Sequence, residues 1–152
     1  MSHFGTIIFI CILSFFSNSA LAVLGEDSSR VEQDRASMSA KSLTKTVKTN
    51  FNVHEILNDG VRIREYEDSK GKIFAITWQA VTHPDLSNLL GKYLGEYQNA
   101  VINKPKQKGQ RRFGSFKSNN LIVEKSGVLG KSRGRAYLPA ALPKGVDINE
   151  IE

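Results

Sequence analysis

An apolar block, Ile7 to Phe16, opens the chain, and the first 22 residues contain no Lys, Arg, Asp or Glu. A helix needs roughly 20 apolar residues to cross a bilayer core, so a block about half that length is too short to span comfortably. It runs into Ser17-Asn18-Ser19-Ala20-Leu21-Ala22, which ends in the small-x-small pattern read by signal peptidases. The pattern predicts a signal peptide cleaved after Ala22 and one domain over residues 23–152, long enough for a single core and too short for two. The n-region has only the α-amino group and His3, with no Lys or Arg, which leaves an uncleaved anchor as the alternative.

Beyond the leader the hydrophobic period changes several times. Ser29-x-x-Glu32 has capping-box spacing, and Val31, Arg35 and Met38 share a face, predicting a short helix near 30–39. Lys41 to Asn50 is polar and reads as linker or early strand. Phe51, Val53 and Leu57 then alternate with Asn52, His54 and Asn58, and Asn58-Asp59-Gly60 is a hairpin signal. Val61, Ile63 and Glu65 alternate with Arg62, Arg64 and Tyr66, and a turn at 68–71 leads to Ile73-Phe74-Ala75-Ile76-Thr77-Trp78. This last strand is apolar on both faces and is expected to be central. Burial favours a three-residue loop that pairs Leu57 with Val61 and gathers Phe51, Val53, Leu57, Val61 and Ile63 on one core face. His54, Arg62, Arg64 and Tyr66 would then share the other face. A two-residue turn would instead set Glu55 opposite Arg64 and scatter the apolar side chains.

Leu86, Leu89, Leu90, Tyr93, Leu94, Tyr97 and Val101 fall at helical spacing, predicting an amphipathic helix with Thr82-x-x-Asp85 as its cap and Pro84 in its first turn. Gly91 and Gly95 weaken it and are expected to allow close approach to the sheet. Asn103 to Lys117 reads as a solvated connection. Leu121-Ile122-Val123 begins a fourth strand and Arg135-Ala136-Tyr137-Leu138 a fifth, joined across Gly127 to Gly134. The fold class is α+β. It comprises a short N-terminal helix and an antiparallel sheet of about five strands, a three-strand meander plus a C-terminal pair, packed by one amphipathic helix.

Charge changes the picture more than composition does. The chain carries net +6, but between Lys104 and Arg135 there are ten Lys or Arg and one acid, Glu124, so this region holds +9 and the rest −3. Such a cation attracts anionic surfaces with salt-dependent strength. Lys104, Lys106, Lys108, Arg111, Arg112, Arg133 and Arg135 are the anion-binding candidates; a solubilising loop with no specific ligand is the plain alternative. Phe113 and Phe116 interleave with the charge as in single-stranded nucleic-acid binders, but export argues against nucleic acid. An anionic envelope polymer, lipid head groups or an exported protein fit better.

The single cysteine, Cys11, lies inside the apolar block, without the preceding small residue that lipid attachment needs, and processing would remove it. His54 and His83 are not at metal-ligand spacing, so no metal is expected, and no motif implies a cofactor. The sharpest chemical candidate is the strand pair bearing His54, Arg62, Arg64, Glu65 and Tyr66. A His beside Arg and Tyr can bind an anion or act as a general base; the plain alternative is a half-exposed sheet face on which long side chains cover apolar surface. His83-Pro84-Asp85 reads as a helix entry.

Val53-His54-Glu55, Arg64-Glu65-Tyr66, Phe74-Ala75-Ile76-Thr77-Trp78-Gln79, Pro84-Asp85-Leu86 and Leu90-Gly91-Lys92-Tyr93 occur in order. Ser132-Arg133-Gly134-Arg135-Ala136-Tyr137-Leu138-Pro139-Ala140-Ala141-Leu142-Pro143 follows them. The set resembles a family of exported proteobacterial proteins called domain of unknown function 2844. The likeness extends to an Ala-Leu-Gly-like start at Ala22, Leu24 and Gly25, interrupted here by Val23. The resemblance implies export, to the periplasm or beyond the cell, and a single domain with no membrane anchor after processing. It transfers no catalytic or binding residue. The expected function is a non-enzymatic exported accessory protein that binds an anionic envelope component or a protein partner through its basic side. The alternative is a small hydrolase using His54 with Glu65, Arg64 or Tyr66 in a concave pocket.

Overall fold

The computed structural model of the protein describes residues 24–29, 42–104, 113–128 and 130–152, without the side chains of 42 and 43. The helix expected at 30–39, the apolar leader and Lys106, Lys108, Arg111 and Arg112 lie outside the described residues. The fold is α+β. Seven antiparallel strands form one sheet: β1 (Ser42–Val47), β2 (Asn52–Asn58), β3 (Val61–Glu67), β4 (Ile73–Ala80), β5 (Phe113–Lys117), β6 (Ile122–Val128) and β7 (Lys131–Tyr137), in the order β1-β2-β3-β4-β7-β6-β5.

The meander β2-β3-β4 and the pair β6-β7 follow the pattern read from the sequence. The five-strand count does not hold. β1 forms in the polar stretch before Phe51, and β5 forms inside the segment expected to be a solvated connection. Among the described residues both are edge strands, paired on one side alone, where polar residues are tolerated, so neither has a strong hydrophobic signal. The β6-β7 turn is also tighter than expected, with Val128 paired to Lys131 and both Gly127 and Gly134 inside strands.

The hairpin register is a second correction. Asp59 and Gly60 alone form the β2-β3 turn, with φ of 26° and 81°, and Asn58 pairs with Val61. Two consecutive residues with positive φ match the two-residue turns that suit the twist of a hairpin. Glu55 therefore stands opposite Arg64 and Ile56 opposite Ile63. The expected core set is divided between the two faces of the sheet. Ile56 and Ile63 are buried on one side; Phe51, Val53 and Leu57 belong to the other. The three-residue loop was inferred by maximising one apolar face, whereas this sheet is covered on both.

On the first face, Ile56, Ile63, Ile76, Trp78, Val123 and Ala136 pack against Leu86, Leu89 and Leu90 of the helix, with Leu24 and Leu138 closing the edge. Each buried aliphatic side chain stabilises by about 1.5–3 kcal/mol. The helix begins with α1 (Leu86–Leu90), passes through a 3-10 turn at Gly91–Tyr93 and continues as α2 (Leu94–Asn103). Asp85, not Thr82, caps it, accepting from the Ser87 backbone N–H at 2.9 Å, so Pro84 precedes the cap. Gly91 has φ of 47°, which reorients the helix between its two segments. Gly95 faces open space and mediates no close approach. The close approach occurs at Gly134, across from Trp78, where a Cβ would collide with the indole Cζ2.

On the second face, Phe51, Tyr66, Phe74, Ala75 and Tyr137 are covered by the C-terminal tail through Leu142, Val146, Ile148 and Ile151. The tail leaves β7 by a 3-10 turn at Pro139–Ala141 and ends in another at Ile148–Glu150, closed by an Asp147–Glu150 capping box. β4 is buried from Ile73 to Trp78, since helix and tail cover its two sides.

Candidate functional site

The residues singled out around His54 divide between the two faces of the sheet. Because the register is one residue away from that expected, His54 and Glu65 are directly paired on the helix face, while Arg62, Arg64 and Tyr66 lie with Glu55 on the tail face. His54 and Glu65 are both buried. The sheet separates His54 and Glu65 from Arg62, Arg64 and Tyr66, so the combinations of His54 with Arg64 or Tyr66 are not assembled, whereas His54 and Glu65 share one face.

His54 belongs to a polar knot whose centre the sequence did not reveal. Glu67 Oε2 lies 2.7 Å from His54 Nε2, accepts from Asn52 Nδ2 at 3.1 Å and meets Lys45 Nζ at 3.3 Å; Oε1 accepts from Ser28 Oγ at 2.7 Å. Burial pushes the Glu67 pKa up, but the bonds from Ser28, His54, Asn52 and Lys45 outweigh it and hold the carboxyl at about 2. A carboxylate that acidic is a poor general base near neutral pH. It anchors the N-terminal segment to β1, β2 and β3. Thr44-Lys45 and Glu67 carry no local pattern that announces this meeting, because the partners lie on separate strands.

The tail face carries a polar row across five strands: Glu55, Arg64, Thr77, Arg135 and Glu124, each paired with the next. Glu55 Oε2 accepts from Arg64 Nε at 2.6 Å, which pushes the Arg64 pKa up, and Glu124 Oε2 accepts from Arg135 Nε at 2.7 Å. Tail carbonyls close the row from above. Glu152 O accepts from Arg64 Nη1 at 2.9 Å, Tyr66 Oη at 2.7 Å and Thr77 Oγ1 at 3.1 Å; Ile148 O accepts from Arg135 Nη1 at 2.8 Å. Arg64, Tyr66 and Arg135 are thus engaged in fastening the tail.

One step further along the strands the tail no longer covers the sheet. Leu57, Arg62, Gln79, Arg133, Ser126 and Phe113 form the next row, again paired strand to strand. This row floors a groove of about 790 Å³, walled by the β2-β3 turn at one end and the β6-β7 hairpin at the other. Two positions further out on the same face, Val81, Lys131 and Val128 form the rim, and Asp59 is the acidic residue in the lining. Adjacent strands are roughly 4.8 Å apart, so Arg62 and Arg133, flanking Gln79, stand about 10 Å apart at their Cα atoms. Arg62 approaches Glu55 only at 3.8 Å, since that carboxylate is already bonded to Arg64. Arg133 Nε donates to Ser126 Oγ at 3.1 Å, and neither Arg133 nor Lys131 has a carboxylate partner among the described residues.

The basic region expected to act as one cation is therefore distributed. Arg133 is in the groove and Arg135 under the tail. Lys104 lies beside a second cleft of about 650 Å³ between α2 and the β5-β6 turn. There its Nζ donates to Ser115 O at 2.9 Å and stands 4.9 Å from the Phe116 ring centroid. Glu96 in the same cleft accepts from Ser118 Oγ at 2.6 Å and Asn120 Nδ2 at 3.0 Å, which lowers its pKa. Lys131, Gln79 and Phe113 were not singled out in the sequence as groove residues. Their strand positions were visible, but the placement of β7 beside β4 was not. Among the described residues no three His, Cys, Asp or Glu gather in a way that could hold a metal ion, and no helix is long and apolar enough to cross a membrane.

No curated protein and no solved structure matches the chain. A family model described as protein of unknown function (DUF2844) matches residues 20–151, nearly its whole length. By that match, the protein belongs to the DUF2844 family, whose function is unknown.

Proposed function

We propose that this protein is an exported, non-enzymatic accessory protein of the cell envelope, and that it binds an anionic ligand on the open half of the tail face. The observation that carries the reading is the groove itself. It is a concave site with Arg62, Arg133 and Lys131 directed onto it, the last two without a carboxylate partner among the described residues. Cations gathered on one concave surface attract an anion more strongly than the same charges spread over a flat one. Export is supported by the apolar leader ending in Ala20-Leu21-Ala22 and by a family match that begins at residue 20, after the apolar block.

The test is binding of the purified protein to glycerol 3-phosphate, to phosphatidylglycerol vesicles and to a sulfated polysaccharide, across a range of ionic strength. Each Lys or Arg close to an anionic surface contributes about 1 kcal/mol. Replacing Arg62, Lys131 and Arg133 together by Gln is therefore expected to weaken binding by roughly two orders of magnitude and to flatten its salt dependence. Absence of binding to all three anions at low salt, or a triple variant that binds as the parent does, would reject the proposal.

A further inference from the structure

We infer that the groove ligand is a single-chain amphiphile with an anionic head, such as a monoacyl or alkyl phosphate. This rests on the anion-binding reading above and adds the apolar part of the ligand. Isolated exposed apolar residues are ordinary on protein surfaces. Here they are concentrated. Among the described residues, six large hydrophobic side chains stand exposed, and three of them, Phe113, Val81 and Val128, line this one groove beside its cations, at 62%, 60% and 52% exposure.

The arrangement separates the two chemistries. Arg62 and Arg133 flank Gln79 at the centre of the sheet, where a tetrahedral anion can bridge them while Gln79 supplies a neutral donor. Beyond Arg133, over β6 and β5, stand Val128 and Phe113, and nothing among the described residues pairs with the outer edge of β5. An anionic head held at the centre would lay its chain across those two strands. The volume, about 790 Å³, lies within the roughly 300–1,000 Å³ typical of small-molecule sites. A hydroxyl-rich polysaccharide would leave both valines facing polar groups. A bilayer surface is flat, whereas the β2-β3 and β6-β7 turns rise at the two ends of this site.

The experiment uses the full gene product in the processed form that the expressing cell yields, with Trp78 fluorescence confirming a folded core in every variant. Four probes are titrated by calorimetry below micelle concentrations: decyl phosphate, glycerol 3-phosphate, decyl maltoside and phosphatidylglycerol vesicles. Decyl phosphate is expected to bind one to one, at least tenfold more tightly than either glycerol 3-phosphate or decyl maltoside. Amide resonances of Gln79, Arg133 and Val128 are expected to shift in the unmodified protein. Phe113→Ser with Val128→Thr should bring decyl phosphate down to the affinity of glycerol 3-phosphate, which itself stays unchanged; Arg133→Gln should weaken both. Equal affinity for glycerol 3-phosphate and decyl phosphate would overturn the inference and leave the anion reading standing. Equal affinity for decyl maltoside and decyl phosphate would reject the anion reading and the inference with it. Binding to vesicles without binding to decyl phosphate, or amide shifts confined to residues outside the groove, would also overturn it.

Discussion

Replacing Glu67 by Gln removes the charge at the centre of the His54 knot while keeping its size. In the folded protein the Glu67 carboxyl sits at about 2, against an ordinary 4.5. A folded pKa below the unfolded one means that the native state releases its proton more readily. The resulting stability is fully present above the unfolded value and is lost as pH falls through the folded one. At about 1.36 kcal/mol per pH unit the whole shift corresponds to about 3 kcal/mol. Lys45, half exposed, is screened by water and supplies little of that. Glu67→Gln is therefore expected to cost about 2 kcal/mol at pH 7. Urea unfolding followed by fluorescence of Trp78, the single tryptophan and a fully buried one, measures this directly. Other carboxylates whose pKa is lowered in the fold and that do not interact with Glu67, such as Asp85 and Glu96, titrate in both proteins and cancel in the difference. The gap between parent and variant should close as pH falls from about 4.5 towards 2. A gap that is absent at pH 7, or that persists unchanged to pH 2, would refute the assignment of Glu67 as an ionised anchor.

Three further outcomes are expected. Gly134→Ala drives a Cβ into Trp78 Cζ2 and to 2.6 Å from the Glu124 carbonyl; overpacking of this kind costs about 1–3 kcal/mol, read as a lowered Tm, and an unchanged Tm would contradict the packing. Tyr66→Phe removes the hydroxyl that donates to Glu152 O and accepts from Glu152 N. It should cost about 1–2 kcal/mol and speed amide hydrogen exchange at the tail while leaving β4 protected; uniform protection would show that the hydroxyl does not fasten the tail. Gly91→Ala forces a side chain into φ of 47° and should destabilise by about 1–2 kcal/mol on thermal melting. A neutral or stabilising result would mean that the helix runs through Gly91 without the break.

Local chemistry was legible in the meander, the helix and the β6-β7 pair, and not in the edge strands β1 and β5. The alternation at 51–67, the Asp59-Gly60 turn, the doubly apolar strand at Ile73–Trp78 and the helical spacing of Leu86, Leu89 and Leu90 each state their element, because each signal is complete within a few residues. Which face each strand presents was not local. Period-two alternation says which side chains travel together, and a one-residue change in turn length exchanges the two sets. That choice depends on what covers the sheet. Here the helix covers one side and the tail covers half of the other, so Ile56 and Phe51 are both buried while pointing in opposite directions. The same non-local step made the site. Arg62 and Arg133 are seventy-one positions apart in the sequence and become neighbours only because β3 and β7 flank β4. His54 and Tyr66, by contrast, are close in sequence and separated by the sheet. The sequence by itself determined the meander, the helix, the β6-β7 pair and the stock of charge. The tertiary structure decided which charges are used up beneath the tail and which stay open to a ligand, because burial and pairing are properties of contacts between strands rather than of any one strand.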